Sequence, residues 1–444
     1  MQAMASQRIA SPAAAPAMGP VSQAKPAPAI SRRRPATVTA RRPAAPAAVR
    51  KDSRGREEAV GEAWSTPATG LIPRLAAAIA GAALGLQVVL PLPVAAVLNS
   101  PNVQIPRSAD AALRRSIPPF NPVAADIQKK MEEVAYLLRI PQRKPWGKML
   151  ENTAYVSKEI LDRPSVLAGV KPDQQEAANA IIADMEESLQ RLAVAITGRD
   201  AEKTSIRVAE VLKGISEVEV MEAPGLPFIV SKPYDGLPRL EGRAVVELEV
   251  AKADGSDAFV DLKGGRKKST ATVKISVDGY SAPITAGNFI CNVKDGMYTN
   301  VKVNSNFQSV VVGSAVDRTI PLEIMPAGEF EPLYRLPLDV QSGELPVLPL
   351  SINGAVAMMH TSVNSDSDVD AGSFFVYKFD KTQAGLAGLS FDEGTFGVFG
   401  YVTEGLDILS SLQNGDIIKS AKVISGGERM VAPPAQAEDT VAPE

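Results

Sequence analysis

The sequence predicts an α+β protein: an antiparallel helical bundle first, then a closed antiparallel β-barrel capped by two helices. Two observations predict this. Between 101 and 222 apolar residues recur at spacings of three and four, whereas from about 225 short β-branched runs alternate with Gly, Pro and Asp. The residues ahead of both segments have the composition of an address rather than of a fold.

Residues 1–51 contain no Asp or Glu, while Ala, Pro, Ser and Arg dominate. That is the composition of an organelle transit peptide, which lacks a periodic apolar face and stays unfolded; it is assigned to 1–70. Arg74 then precedes an apolar run over 75–90 in which only Gln87 is polar, followed by Pro91, Pro93 and Val94-Ala95-Ala96. A basic flank, an apolar stretch and a small-residue site read as a second signal over 71–96, cleaved after Ala96. A membrane anchor is the competing reading, because the run approaches the ~20 residues needed to span a bilayer. The prolines and the small-residue site favour cleavage and no stable span in the mature chain. An acid-free leader followed by a secretory-type signal implies passage into a chloroplast and then into the thylakoid lumen.

The net charge of −3 hides two populations. Of the 47 basic and 50 acidic residues, twelve and four lie in 1–96, which leaves the remainder at −11. An acidic body argues against nucleic acid as a partner. One cysteine, Cys291, excludes an internal disulfide, and one histidine, His360, excludes a multi-histidine zinc site. Asp366, Asp368 and Asp370 imitate the start of a calcium loop, but Ala371 and Tyr377 stand where glycine and a bidentate acid are required. No metal and no cofactor are expected.

In the helical segment, assigned to 97–224, Ile127, Met131, Val134 and Leu138 mark one helix face and Pro141 ends it. Asp173 and Glu176 have capping-box spacing ahead of Ala178, Ile181, Met185, Leu189, Leu192 and Ile196. Val208, Val211, Leu212, Ile215 and Val218 line a further helix, and with 148–162 these make a bundle of about four. The stripes read as core. The connection over 137–146 is a candidate protein-contact patch through Arg139, Arg143, Lys144 and Trp146, weighed against a plain helix joint.

The barrel is assigned to 225–430 and a disordered tail to 431–444. Strand-like runs fall at 244–250, 271–277, 310–312, 355–358, 373–376 and 397–402, with helix-like stretches at 284–293 and 406–412. Here the residues carry a resemblance. Ala282-Pro-Ile-Thr-Ala-Gly-Asn-Phe289 with Gly296-Met-Tyr298 resembles the first helix of cyclophilins and the turn after it. Gly394-Thr-Phe-Gly-Val-Phe-Gly-Tyr-Val402 with Glu404-Gly-Leu-Asp-Ile408 resembles their last strand and second helix. Ser116-Ile-Pro-Pro-Phe-Asn-Pro122, the 137–147 stretch, Pro321-Leu-Glu-Ile-Met325 and Gly343-Glu-Leu-Pro-Val-Leu-Pro349 are similar to the multidomain thylakoid-lumen cyclophilins of plants and algae, of the thirty-seven type. The resemblance implies a cyclophilin-like barrel and a peptidyl-prolyl cis-trans isomerase ancestry.

Isomerising a prolyl bond means lowering a rotation barrier of ~18–20 kcal/mol set by amide resonance. An apolar socket for the proline ring and a cationic donor to the prolyl nitrogen stabilise the twisted state. Cyclophilins supply the donor as an arginine seven residues past the tyrosine that Tyr298 resembles; counting places Ser305 there. A serine cannot replace a guanidinium fork. The same ungapped count puts the family's pocket residues on Val310, Val311 and Gly313; Met359 and His360 fall on its rim, Ser373-Phe374-Phe375 on its paired phenylalanines, and Phe396 on its histidine. The proline-rich insertion over 321–349 is expected to lie over the barrel and could cover this pocket.

The expectation is therefore a lumen protein with weak or absent isomerase activity. It would bind proline-containing or extended segments in the assembly or maintenance of photosynthetic complexes, with photosystem II or the cytochrome complex implied by the resemblance. The alternatives are an active isomerase with an atypical site, or a fixed subunit of one complex.

Overall fold

A computed structural model describes residues 105–431, apart from 261–264, 314–315, 362–366 and 386–387. The leader with Ala96, the tail past Val431 and Asp366 lie outside the described residues. No described helix is long and apolar enough to cross a membrane.

The helical part comprises α1 Ala109–Ser116, α2 Pro122–Leu138, α3 Trp146–Glu159, the single turn α4 Arg163–Val166, α5 Gln175–Thr197 and α6 Ala201–Glu222. Asn121 starts α2 by accepting from the Val123 N–H, with Pro122 at the first helical position where no N–H is needed. Asp200 caps α6 through the Lys203 N–H. The capping box expected at Asp173 does not form: α5 begins at Gln175 without a side-chain cap, and Asp173 sits in the preceding turn. Ile127, Met131 and Val134 of α2 pack with Met149 and Val156, with Ile182, Met185 and Leu189, and with Val208, Val211 and Ile215 in one core. Gly214 lets α5 and α6 approach closely, since a Cβ there would fall 2.5 Å from Met185 Cγ.

The barrel strands are β1 Arg243–Ala251, β2 Thr270–Asp278, β3 Val301–Ser305, β4 Ser309–Val312, β5 Thr319–Pro321, β6 Ala355–His360, β7 Asp368–Tyr377, β8 Val398–Glu404 and β9 Ile417–Ser425. Their order is β6-β8-β2-β1-β9-β3-β4-β7, and the antiparallel pairing of β6 with β7 closes eight strands, with β5 added on β7. Helix α7 Pro283–Lys294 packs on the barrel core through Phe289, Ile290 and Val293, and α8 Leu406–Ser411 through Leu409. Strand β9 carries no clean alternation because bulges interrupt it between Ile418 and Ser420 and between Val423 and Ser425. Val431, assigned to the tail, pairs instead with Arg239, and Met430 with Leu240.

The two parts meet through a polar joint. Arg243 donates to Asp278 Oδ1 (2.9 Å), to Ser116 Oγ (2.9 Å) and to the Leu113 carbonyl, and Ser116 itself donates to Asp278. From the barrel's C-terminal end, Arg429 donates to the Val220 carbonyl at 2.8 Å and to that of Ala223 at 3.3 Å. Ile117, Ala223 and Tyr280 fill the space between.

Candidate functional site: the outer face of the barrel

Side chains of adjacent strand residues point to opposite faces, so the register decides which expected pocket residues share a surface. Val311 pairs with Phe375 of β7, and Phe375 with Ala357 of β6. These three face outward and meet Val398, Met359 and Phe396. Phe396 packs edge-on against Phe375, with ring centres 5.0 Å apart at 77°. The His360 ring lies 4.5 Å from the Phe396 ring and its Nε2 sits 3.0 Å from the Thr395 carbonyl. Gly313 lies beside Ser373: a Cβ on the glycine would stand 3.6 Å from Ser373 Oγ.

Two residues expected in the pocket are not on this face. Val310 and Phe374 point into the barrel, where Phe374 makes edge-on contacts with Phe289 (5.2 Å) and Tyr298 (5.0 Å). Of the paired phenylalanines only the second faces outward. The period-2 rule separates them, and counting along the chain cannot.

The same rule separates Ser305, the expected donor position, from the outer face. Ser305 pairs with Val310, whereas Asn304 pairs with the outward Val311. Asn304 is therefore the β3 residue that shares the outer face, and Ser305 lies on the side carrying Val310, accepting from Lys378 Nζ at 2.9 Å. Neither position carries a cation. Arg318, the nearest arginine downstream, donates to Asn288 Oδ1 (2.8 Å) and Asn292 Oδ1 (3.1 Å) of α7, whose amides in turn bond the Ala371 carbonyl.

The outer face is also covered. Leu348 at the end of the proline-rich insertion and Leu350 and Ile352 just past it, with Ala112 and Leu113 of α1, form one apolar cluster with Ala357, Phe375, Val398 and Tyr401. Phe375 retains only 5% exposure. Polar ties hold the strap down. Glu393 accepts from the Leu350 N–H (2.7 Å), the Ser351 N–H (2.8 Å) and the Ser351 hydroxyl, and Tyr401 donates to the Pro349 carbonyl (2.8 Å). Burial pushes the Glu393 carboxyl above its ordinary pKa, against these hydrogen bonds, which lower it. At the insertion's start, Glu323 accepts the Ile284 and Thr285 N–H groups at the N-terminus of α7; burial raises its pKa to about 7.

In the interhelical patch, Lys144 donates to the Leu138 and Ile140 carbonyls at the end of α2, and Trp146 packs on the bundle core as α3 begins. Arg139 and Arg143 are exposed. Two of the four candidates thus serve the joint. Asp368 pairs with Arg335 (3.1 Å) and Asp370 accepts the Gly372 N–H, and no group of metal-ligating side chains is present among the described residues. Cys291 is half-buried on α7.

Sequence reasoning missed Asn304, Glu393 and the covering leucines. Alternation from Val310 and Val311 would have found Asn304; nothing local announces Glu393, whose partners lie about forty residues away.

A closed eight-stranded antiparallel barrel with two packed helices defines a cyclophilin-type protein. Residues 266–426 match the family described as cyclophilin type peptidyl-prolyl cis-trans isomerase, and residues 108–221 match the PsbQ-like domain of CYP38-like peptidyl-prolyl cis-trans isomerases. The chain is 46% identical over 349 residues to "Peptidyl-prolyl cis-trans isomerase CYP37, chloroplastic" of Arabidopsis thaliana, covering 77% of this chain and 74% of that protein. It is 30% identical to "Putative thylakoid lumen peptidyl-prolyl cis-trans isomerase sll0408" of Synechocystis sp., over 72% and 83% of the two chains. It is 27% identical to "Peptidyl-prolyl cis-trans isomerase CYP38, chloroplastic" of Arabidopsis thaliana, over 77% and 78%. The chain belongs to the chloroplast and thylakoid-lumen cyclophilins that join a PsbQ-like helical domain to a cyclophilin domain.

Proposed function

We propose that this chain acts in the thylakoid lumen as a binding factor without isomerase turnover, in the assembly or upkeep of photosynthetic membrane complexes. One observation carries the reading: the outer face around Phe375 is filled by the protein's own Leu348 and Leu350, and neither Asn304 nor Ser305 bears a charge. A prolyl substrate would have to displace the strap and would then meet no donor for its nitrogen. Losing one preorganised donor costs on the order of 10²–10³ in rate.

The mature form, beginning at Val97, is assayed on a proline peptide with a protease that cuts only the trans isomer. Background rates are expected. Turnover abolished by Phe375→Ala would overturn the reading and restore an isomerase with an atypical site. Affinity capture of the same form from solubilised thylakoids identifies its clients, and retention in one complex through high salt would favour a fixed subunit instead.

A further inference from the structure

We propose that the end of the barrel around Lys378 is a second binding site, for an acidic peptide segment that presents a carboxylate beside an apolar side chain. A cavity of about 600 Å³ opens there between the β3–β4 turn, the end of β7 and the segment after α8. Lys378 donates to Ser305 Oγ at 2.9 Å and to the Asn306 carbonyl at 3.0 Å. An ammonium has three donors, and the third has no partner among the described residues. Partial burial lowers the Lys378 pKa, and the side chain keeps some contact with solvent. A carboxylate would restore what hydration it has lost through a charge-assisted hydrogen bond.

The rest of the lining fits the same ligand. Asn306, Asn353, Gln413 and Asn414 place side-chain amides around the cavity, and no carboxylate lines it. The two acids nearest in sequence are committed elsewhere. Asp416 is buried and accepts from Lys252 (2.8 Å), the Gln413 N–H (2.8 Å) and the Ala253 N–H (3.1 Å); Asp380 caps the Thr382 N–H. The body of the chain carries an excess of acids, yet this cavity has a lysine and amides and no competing carboxylate in its lining. Phe307, 73% exposed on the β3–β4 turn, and Phe379 add apolar surface at the rim. An inorganic anion would leave that surface unused, whereas a peptide uses both halves. Neither Phe375 nor Asn304 lines the cavity, so the proposal stands apart from the function proposed above.

The test uses the mature chain from Val97 and a short fluorescein-labelled peptide with a central Phe-Asp pair, titrated by anisotropy. Saturable binding is expected, weakened about tenfold or more by Lys378→Met and by replacing the peptide's aspartate with asparagine. Phe307→Ser, at an exposed turn position, also weakens it, while Lys302→Met, an equal charge change on β3, leaves it unchanged. Absence of saturable binding, undiminished affinity in Lys378→Met or Phe307→Ser, or displacement by inorganic phosphate at the peptide's own concentration would each overturn the proposal.

Discussion

Single residues set what the outer face can do. Asn304 is the β3 residue paired with the outward Val311, on the face where the family resemblance implies a cation, and an amide does not donate as a guanidinium does. On the function proposed above, adding the charge alone would not suffice, because Phe375 is already covered. Asn304→Arg is therefore expected to leave proline-peptide turnover at background, and the protease-coupled assay reads this directly. Glu393 is the residue on which the cover depends: its two oxygens take three donors from Leu350 and Ser351. Glu393→Ala leaves those buried N–H groups unsatisfied, a loss of about 1–3 kcal/mol for such a group. Hydrogen exchange should show faster labelling over 347–352 with the strands beneath unchanged. Phe374→Ala, by contrast, empties the barrel core and is expected to cost about 3–5 kcal/mol in denaturant unfolding, without touching the outer face.

At the scale of elements, the crowding of acids between α1, α2 and α6 gives the bundle a pH dependence. Glu219 of α6 is buried, and burial, reinforced by the nearby Glu222, raises its pKa to about 8 against the partial relief of Arg114 and Arg243. Burial lifts Glu222 to about 7, although Asn121 donates to it at 2.7 Å. Glu132 also faces this cluster, held by Arg114 at 3.1 Å. Both raised carboxyls are protonated in the folded state at pH values where the unfolded chain has already released them. Their contribution is thus complete below the ordinary glutamate pKa of 4.5 and is lost as pH rises through about 7 and 8. The urea midpoint should fall between pH 5 and pH 8, and Glu219→Gln should flatten that fall. A midpoint that rises over the same interval would contradict the assignment. Gly214 is the complementary packing test on α6: Gly214→Ala drives a methyl into Met185, and the helix-propensity gain of about 1 kcal/mol from removing glycine should be outweighed by overpacking of about 1–3 kcal/mol.

For the whole molecule, the bundle and the barrel are joined by buried charge and by α1. The Arg243–Asp278 pair leaves Asp278 fully buried, and breaking one side of such a pair typically costs about 3–5 kcal/mol. Asp278→Asn should therefore weaken the barrel and also loosen α1, since Ser116 shares the same oxygen. Helix α1 falls within the helical segment of the sequence but covers the barrel: Ala112 and Leu113 pack with Phe375 and Tyr401. Removing residues 97–116 should expose an apolar face and raise binding of a hydrophobic dye, with the remaining bundle helices retaining their circular dichroism.

The sequence alone determined the order of elements. Apolar periodicity distinguished helices from strands because each is set by neighbours three, four or two positions away, and strands β1, β2 and β8 were legible almost to their ends. Strand β9 was not, because its two bulges break the alternation that would announce it. The family, too, was carried by local motifs in α7 and β8. Only the tertiary structure decided which residues share a face. Cross-strand register turned Val310 and Phe374 inward, replaced Ser305 by Asn304 on the outer surface, and brought Glu393 to a strap more than forty residues distant. Those contacts join segments far apart in the chain, and no periodicity within either segment encodes its partner.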